Sequence, residues 1–372
     1  MTIPREWLSQ TCKKSAYSLN YPMINAEIVP GVLAITSNTS QLKGFPICED
    51  LSVAQQSGVS HDQSLLQIRF EVTPSLRMSD RREGKVFRTT STETVGMELP
   101  LGRIGNVTCT VSFDKDHPEL HVNRTLFYSG KLTIGNVHSV GWLLRDLCNV
   151  HLLNNGFSLL HGAALASDAS CVALIGLSNT GKTTTVKNLL SEIGARTFGD
   201  DLFVTDGKRA FSCPYTTVNV SPSDFPKFRD RVLQRARRAI PFYEYFGPTA
   251  NLTLAEYFGK SAISPPRHLD ALFFLRRSPE FSMIRLSRDE AFRMLVASNY
   301  AEFTYGSNSL FRAHDYLLRK DVTSGAQRRE EVLLKHLCAN VDCYLIDGQP
   351  QDFASATKDV LMADESGNAR VP

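Results

Sequence analysis

Residues 176–183 read Gly176-Leu177-Ser178-Asn179-Thr180-Gly181-Lys182-Thr183, a complete G-x-x-x-x-G-K-[ST] phosphate loop. The motif constrains its surroundings. A strand must deliver the chain to the loop and a helix must carry it away, because successive backbone N–H groups and a helix N-terminus have to converge on one anion. Both flanks are present. Cys171-Val172-Ala173-Leu174-Ile175 is a short apolar run rich in strand formers. Beyond Thr183, the residues Val186, Leu189, Leu190 and Ile193 recur at helical spacing until Gly194 stops the pattern. A nucleotide site is therefore expected, built from Gly176, Leu177, Ser178, Asn179, Thr180, Gly181, Lys182, Thr183 and Thr184. Lys182 would reach the β- and γ-phosphates of ATP, and the Thr183 hydroxyl would help hold Mg²⁺.

The residues on either side narrow the chemistry. Leu159-Leu160-His161-Gly162-Ala163-Ala164 precedes the loop, and Phe198-Gly199-Asp200-Asp201-Leu202 follows its helix. Two adjacent carboxylates at the end of a short strand should point to opposite sides, because side chains alternate along a strand. One would then face the metal or the acceptor hydroxyl while the other supports the neighbouring structure. His161, at the start of the preceding hairpin, is expected within reach of the same pocket.

The His-Gly pair, the glycine loop and Gly199-Asp200-Asp201, in this order and spacing, resemble the phosphoenolpyruvate-carboxykinase-type P-loop kinases. Within that group they are most similar to the HPr kinase/phosphorylase-related proteins. The loop itself is close to that of the carboxykinases, with Asn179 where a glycine is usual. The resemblance implies an α/β fold: a P-loop catalytic core with a mixed central sheet and flanking helices, beside a smaller β-rich N-terminal region. It implies an ATP- and Mg²⁺-dependent kinase in which Asp200 is the general base, His161 supports it, and Asp201 joins Thr183 at the metal. It also implies a homo-oligomer, since the resembling HPr kinases are hexamers.

Composition bounds the remaining classes. The 372 residues suffice for two domains, expected as a β-rich 1–138 and a kinase-like 139–362, with 363–372 a flexible tail. Lys plus Arg is 41 against 38 Asp plus Glu, so no basic field points to nucleic acid. Residues 1–7 lack the apolar core of a signal peptide, and no run of eighteen apolar residues follows. A cytoplasmic chain without membrane partners is expected, its eight scattered cysteines reduced and mostly buried.

Residues 65–72 and 107–113 alternate as strands and predict a small antiparallel sheet in the N-terminal part. Val140, Leu143, Leu144, Leu147 and Val150 predict an amphipathic helix bridging that sheet to the kinase core. Asp206-Gly207 predicts a hairpin turn, and residues 268–275 a buried central strand ending in Arg276-Arg277. Ser287-Arg288-Asp289-Glu290 is a capping box opening a helix. Between residues 227 and 239, Arg229, Arg231, Arg235, Arg237 and Arg238 crowd one segment. That run reads first as a solvated face, and otherwise as a docking surface for an acidic partner or a phosphate. Phe242, Tyr243, Tyr245 and Phe246 read as a hydrophobic anchor. Either Arg276 or Arg277 could neutralise charge on a transferred phosphoryl group.

The function this supports is transfer of the γ-phosphate of ATP to a hydroxyl, in a protein or peptide serine or in a small molecule. A carboxykinase is disfavoured by length. A regulatory nucleotide-binding protein without catalysis is disfavoured by the joint presence of Lys182, Thr183, Asp200, Asp201 and His161.

Overall fold

The computed structural model describes residues 22–55, 65–74, 76, 78, 82–83, 86–101, 105–134, 137–218, 227–239 and 252–362. The aromatic anchor at residues 242–246 and the tail at 363–372 lie outside them. The chain is an α/β protein with two sheets. The first holds eight strands: β1 (Ile24–Val29), β2 (Leu33–Ser37), β3 (Leu66–Thr73), β4 (Arg82–Glu83), β5 (Phe87–Thr89), β6 (Thr94–Pro100), β7 (Asn106–Ser112) and β8 (Glu119–Asn123). Their order is β1-β2-β3-β8-β7-β6-β5-β4. A small antiparallel sheet was the expectation, and the sheet is larger and mixed. β3 pairs in parallel with both β2 and β8.

The short α1 (Arg124–Tyr128) and then α2 (Val140–Asn154) carry the chain to the second sheet. Its strands are β9 (Ser158–Ala166), β10 (Cys171–Ile175), β11 (Arg196–Gly199), β12 (Leu202–Thr205), β13 (Arg209–Phe211), β14 (Arg267–His268), β15 (Ala271–Arg277), β16 (Ser282–Arg285) and β17 (Asp342–Gly348). They run β14-β13-β12-β9-β10-β15-β17-β16, with β11 also paired to β9. β10, β15 and β17 are mutually parallel. The intervening helices are α3 (Lys182–Ile193), α4 (Phe228–Ala239), α5 (Leu254–Phe258), α6 (Arg288–Glu302), α7 (Ser309–Leu318), α8 (Val322–Asn340) and α9 (Pro350–Leu361).

A parallel strand covered on both faces must be apolar on both, which is why β10 reads as an unbroken apolar run. Val172 and Leu174 pack with Val186 and Leu189 of α3 and Phe353 of α9. Ala173 and Ile175 pack on the other face with Leu295 of α6 and Leu334 and Leu337 of α8. The predicted hairpin forms, with Val204 opposite Phe211, and Asp206 accepts the Lys208 and Arg209 N–H groups in its turn. The capping box forms between Ser287 and Glu290. Seven cysteines are buried and unbridged; Cys12 lies outside the described residues. Among the described residues no helix is long and apolar enough to cross a membrane.

α2 departs from the amphipathic expectation. Its apolar stripe is buried as foreseen, but Arg145, Asp146, Asn149 and His151 are buried too. The helix packs in one core with Phe70 and Val111 of the first sheet, and with Leu159, Leu202 and Phe211 of the second. That core runs continuously past residue 138. Gly141 of α2 lies against the loop that follows β2, where an added Cβ would stand 2.1 Å from the Gly44 carbonyl oxygen. Gly141→Ala forces backbone apart rather than filling space, a change expected to cost about 1–3 kcal/mol as overpacking does. Thermal unfolding followed by circular dichroism should show a Tm several degrees lower, whereas an unchanged Tm would mean the helix seats elsewhere.

Candidate functional site

β10 ends at Ile175 and its neighbour β15 runs on, so the phosphate loop turns over at the carboxyl end of the parallel strands, where open α/β sheets bind ligands. Two loop residues take left-handed backbone, Asn179 with φ 65° and Gly181 with φ 117°. Asparagine is among the few side chains that tolerate that region, which accounts for a non-glycine residue at this position. Thr180 braces the loop, its hydroxyl donating to the Leu177 carbonyl at 2.5 Å. Leu177, Ser178 and Asn179 stand exposed on the rim, as does Thr184 in the first turn of α3.

Lys182 opens α3 with its side chain folded back under the loop. Its ammonium donates to the carbonyls of Gly176 (2.5 Å) and Leu177 (3.1 Å) and to His161 Nε2 (3.2 Å). Burial holds its pKa below the usual lysine range, against the pull of Asp201, Asp200 and Glu302. His161 is 4% exposed. Burial, and next the adjacent Lys182 charge, depress its pKa, so the ring is neutral and accepts through Nε2. The proton then sits on Nδ1, which has no hydrogen-bond partner and faces Asp201 Oδ1 at 3.7 Å and Glu302 Oε2 at 3.9 Å.

The two aspartates occupy the bend between β11 and β12. Gly199 makes that bend, since a Cβ there would stand 1.9 Å from the Leu202 carbonyl oxygen. The pair is therefore not on a regular strand, and simple alternation does not govern it. Both carboxylates act on Lys182. Asp200 is 3% exposed and bonded by the Thr183 side chain, while Asp201 has a side chain 57% exposed beside His161. The partners are thus distributed differently from the expectation. Thr183, expected with Asp201, meets Asp200; His161, expected with Asp200, meets Asp201. Burial pushes the Asp200 pKa up to about 6, and its Oδ1 lacks a partner.

Three contributors were not singled out in the sequence. Glu302, the last residue of α6, brings a third carboxylate to Lys182. Arg145 of α2 holds Glu302 Oε1 at 3.2 Å and lies 4.5 Å from the Trp142 ring centroid. Asn299 has the third role. β9 continues past the end of β10, so the edge of residues 159–161 loses its strand partner just where His161 must be held. The Asn299 side chain replaces that partner, accepting from the His161 N–H (3.2 Å) and donating to the Leu159 carbonyl (3.1 Å). Asn149 of α2 takes the Leu159 N–H. Glu330 fixes Asn299 from below at 2.9 Å and accepts from Tyr305. One signal for α2 was available: the helix contains neither Lys nor Glu, unlike a helix with a solvated face.

The arginine-rich helix forms as α4, with Phe228 and Val232 exposed. Arg276 is tied bidentately to Asp347 at 2.5 and 2.7 Å. Arg277 bonds Gln349.

Because Asp200 is protonated more readily folded (about 6) than unfolded (3.8), its ionised form opposes folding. The penalty is absent below pH 4, grows between pH 4 and 6, and is complete above about pH 6. Asp200→Asn should therefore stabilise the metal-free protein by up to about 3 kcal/mol at pH 7.5, from about 1.4 kcal/mol per pKa unit. Melting in EDTA across pH 4–8 tests this. A Tm difference that does not shrink toward pH 4 would refute the assignment.

No protein-family model matches this chain, and no curated protein is significantly similar to it.

Proposed function

We propose that the protein is an ATP-dependent, Mg²⁺-assisted phosphotransferase of the HPr-kinase-like type, with a P-loop core of the phosphoenolpyruvate-carboxykinase kind, acting on a hydroxyl group. The observation that carries this reading is the cluster around Lys182. A buried ammonium rests on carbonyls of its own loop, next to a neutral histidine and three carboxylates supplied by two separate segments. Such a side chain can exchange its carbonyl oxygens for phosphate oxygens when a nucleotide binds.

The donor set suits Mg²⁺. Thr183 and Asp200 offer hard oxygens in mutual contact, and Mg²⁺ takes one or two carboxylates plus phosphates and water rather than a full protein cage. Among the described residues no group of three or more His, Cys, Asp or Glu is arranged to hold a metal ion. When bound, Mg²⁺ neutralises charge on the phosphates.

The two carboxylates divide the remaining work, and geometry favours a division opposite to the one the resemblance implies. A general base needs an accessible carboxylate. Asp201 has one, and the His161 Nδ1–H beside it steadies its negative charge. Asp200, buried against Thr183, belongs on the metal side. In the transfer, the acceptor oxygen bonds to the γ-phosphorus and its proton passes to Asp201. The bond from that phosphorus to the β–γ bridging oxygen breaks, and ADP leaves with the electron pair. Glu302, held by Arg145, faces the same His161 Nδ1 as Asp201 and helps to position the ring. The acceptor is a serine of a protein or peptide, or alternatively a small-molecule alcohol.

The test is transfer from [γ-³²P]ATP with Mg²⁺ to a host lysate and a metabolite panel. Lys182→Ala should abolish transfer and weaken ATP binding. Asp201→Asn should keep MgATP affinity and slow transfer roughly 10²–10⁴-fold, the usual loss of a general base. Asp200→Asn should instead raise the Mg²⁺ concentration needed. If Asp200→Asn loses transfer at unchanged Mg²⁺ dependence while Asp201→Asn transfers normally, the two roles are reversed. Binding of ATP with no label transferred to any acceptor would favour a regulatory nucleotide-binding protein.

A further inference from the structure

At the carboxyl end of β15, two consecutive arginines have opposite fates. Arg276 lies opposite Asp347 of β17 and is neutralised by it through two hydrogen bonds. Arg277 projects to the other face, where no carboxylate pairs with it among the described residues. Among the described residues its one hydrogen bond to a side chain is from Nη1 to the neutral Gln349 Oε1, at 2.7 Å. Gln349 is itself fixed, donating from Nε2 to the Ser278 carbonyl and from its backbone N–H to Asp352.

The position of this unneutralised cation is what gives it meaning. β15 runs beside the phosphate loop: a Cβ on Gly176 would stand 3.1 Å from the Leu275 carbonyl oxygen. Two residues further along, Arg277 Nη2 is 3.7 Å from where a Cβ on Gly181 would be, and Pro350 covers the same glycine at 2.9 Å. Arg277 therefore stands at the mouth of the loop, against the residue that precedes Lys182. It is exposed, so its charge is available to a ligand. A guanidinium whose Nη1 is steered by a neutral amide keeps its other N–H donors in a fixed plane, the arrangement that grips two phosphate oxygens at once.

We infer that Arg277 is a phosphate-binding residue of the nucleotide site, gripping the polyphosphate chain from the β15 side while the loop amides and Lys182 hold it from below. The inference rests on the nucleotide reading above. It makes nucleoside tri- and diphosphates the ligand class and separates them from the monophosphate, whose single phosphate offers no chain to bridge.

Isothermal titration of the purified full chain with MgATP, MgADP and AMP tests it. Arg277→Ala should weaken MgATP and MgADP at least tenfold and change AMP binding less than twofold. Arg277→Lys should recover only part of the loss, because an ammonium cannot bridge two oxygens. Arg277 is exposed, so unchanged melting is expected for both variants and serves as the folding control. MgATP affinity within twofold of wild type in Arg277→Ala overturns the inference while leaving the kinase reading intact. If wild type binds no nucleotide, the nucleotide reading itself falls.

Discussion

Strand β9 carries the constraint on which the site depends. It is paired to β10 on one edge and to β11 and β12 on the other, yet β10 must leave the sheet at Gly176 to form the phosphate loop. Leaving strips one edge of β9 at residues 159–161, in a buried place where unpaired N–H and C=O groups are costly. The fold answers with two asparagines from two helices, Asn149 and Asn299, whose amides stand in for a strand. His161 is thereby held by a backbone bond, a strand pairing through Leu202, and the ammonium of Lys182. The sheet, α2, α6 and α8 all bear on that one imidazole.

The electrostatics show the cost of such a site. Lys182, His161 and Asp200 are each displaced from their ordinary pKa with burial as the largest cause. Each then relies on its neighbours to offset the lost hydration. Mutual dependence of this kind concentrates instability in one buried cluster, a pattern common to functional sites.

What the sequence disclosed follows from how local its signals are. The strand–loop–helix around Lys182 was legible because glycine loops, apolar runs and helical spacing are encoded within a few residues. So were the Asp206 turn, the Ser287 cap and the β15 strand. The presence of His161 and both aspartates was legible from order and spacing, but their partners were not. Which carboxylate meets Thr183 depends on the bend forced by Gly199, and that bend overrides the alternation assumed for a strand. Glu302, Arg145 and Asn299 were silent because each acts across more than a hundred residues of chain. The first sheet came out mixed rather than antiparallel for a related reason: alternation reports which faces are buried, not the direction of the neighbouring strand.

The close seat of α2 on the loop after β2 has a mechanical corollary. Gly141 is pressed against the Gly44 carbonyl, and one helical turn later Arg145 reaches toward the phosphate-loop lysine through Glu302. The loop containing Gly44, far from the glycine loop in sequence, is therefore mechanically tied to the site. Displacing that loop would be felt at Arg145 and Glu302 through the helix they share or face.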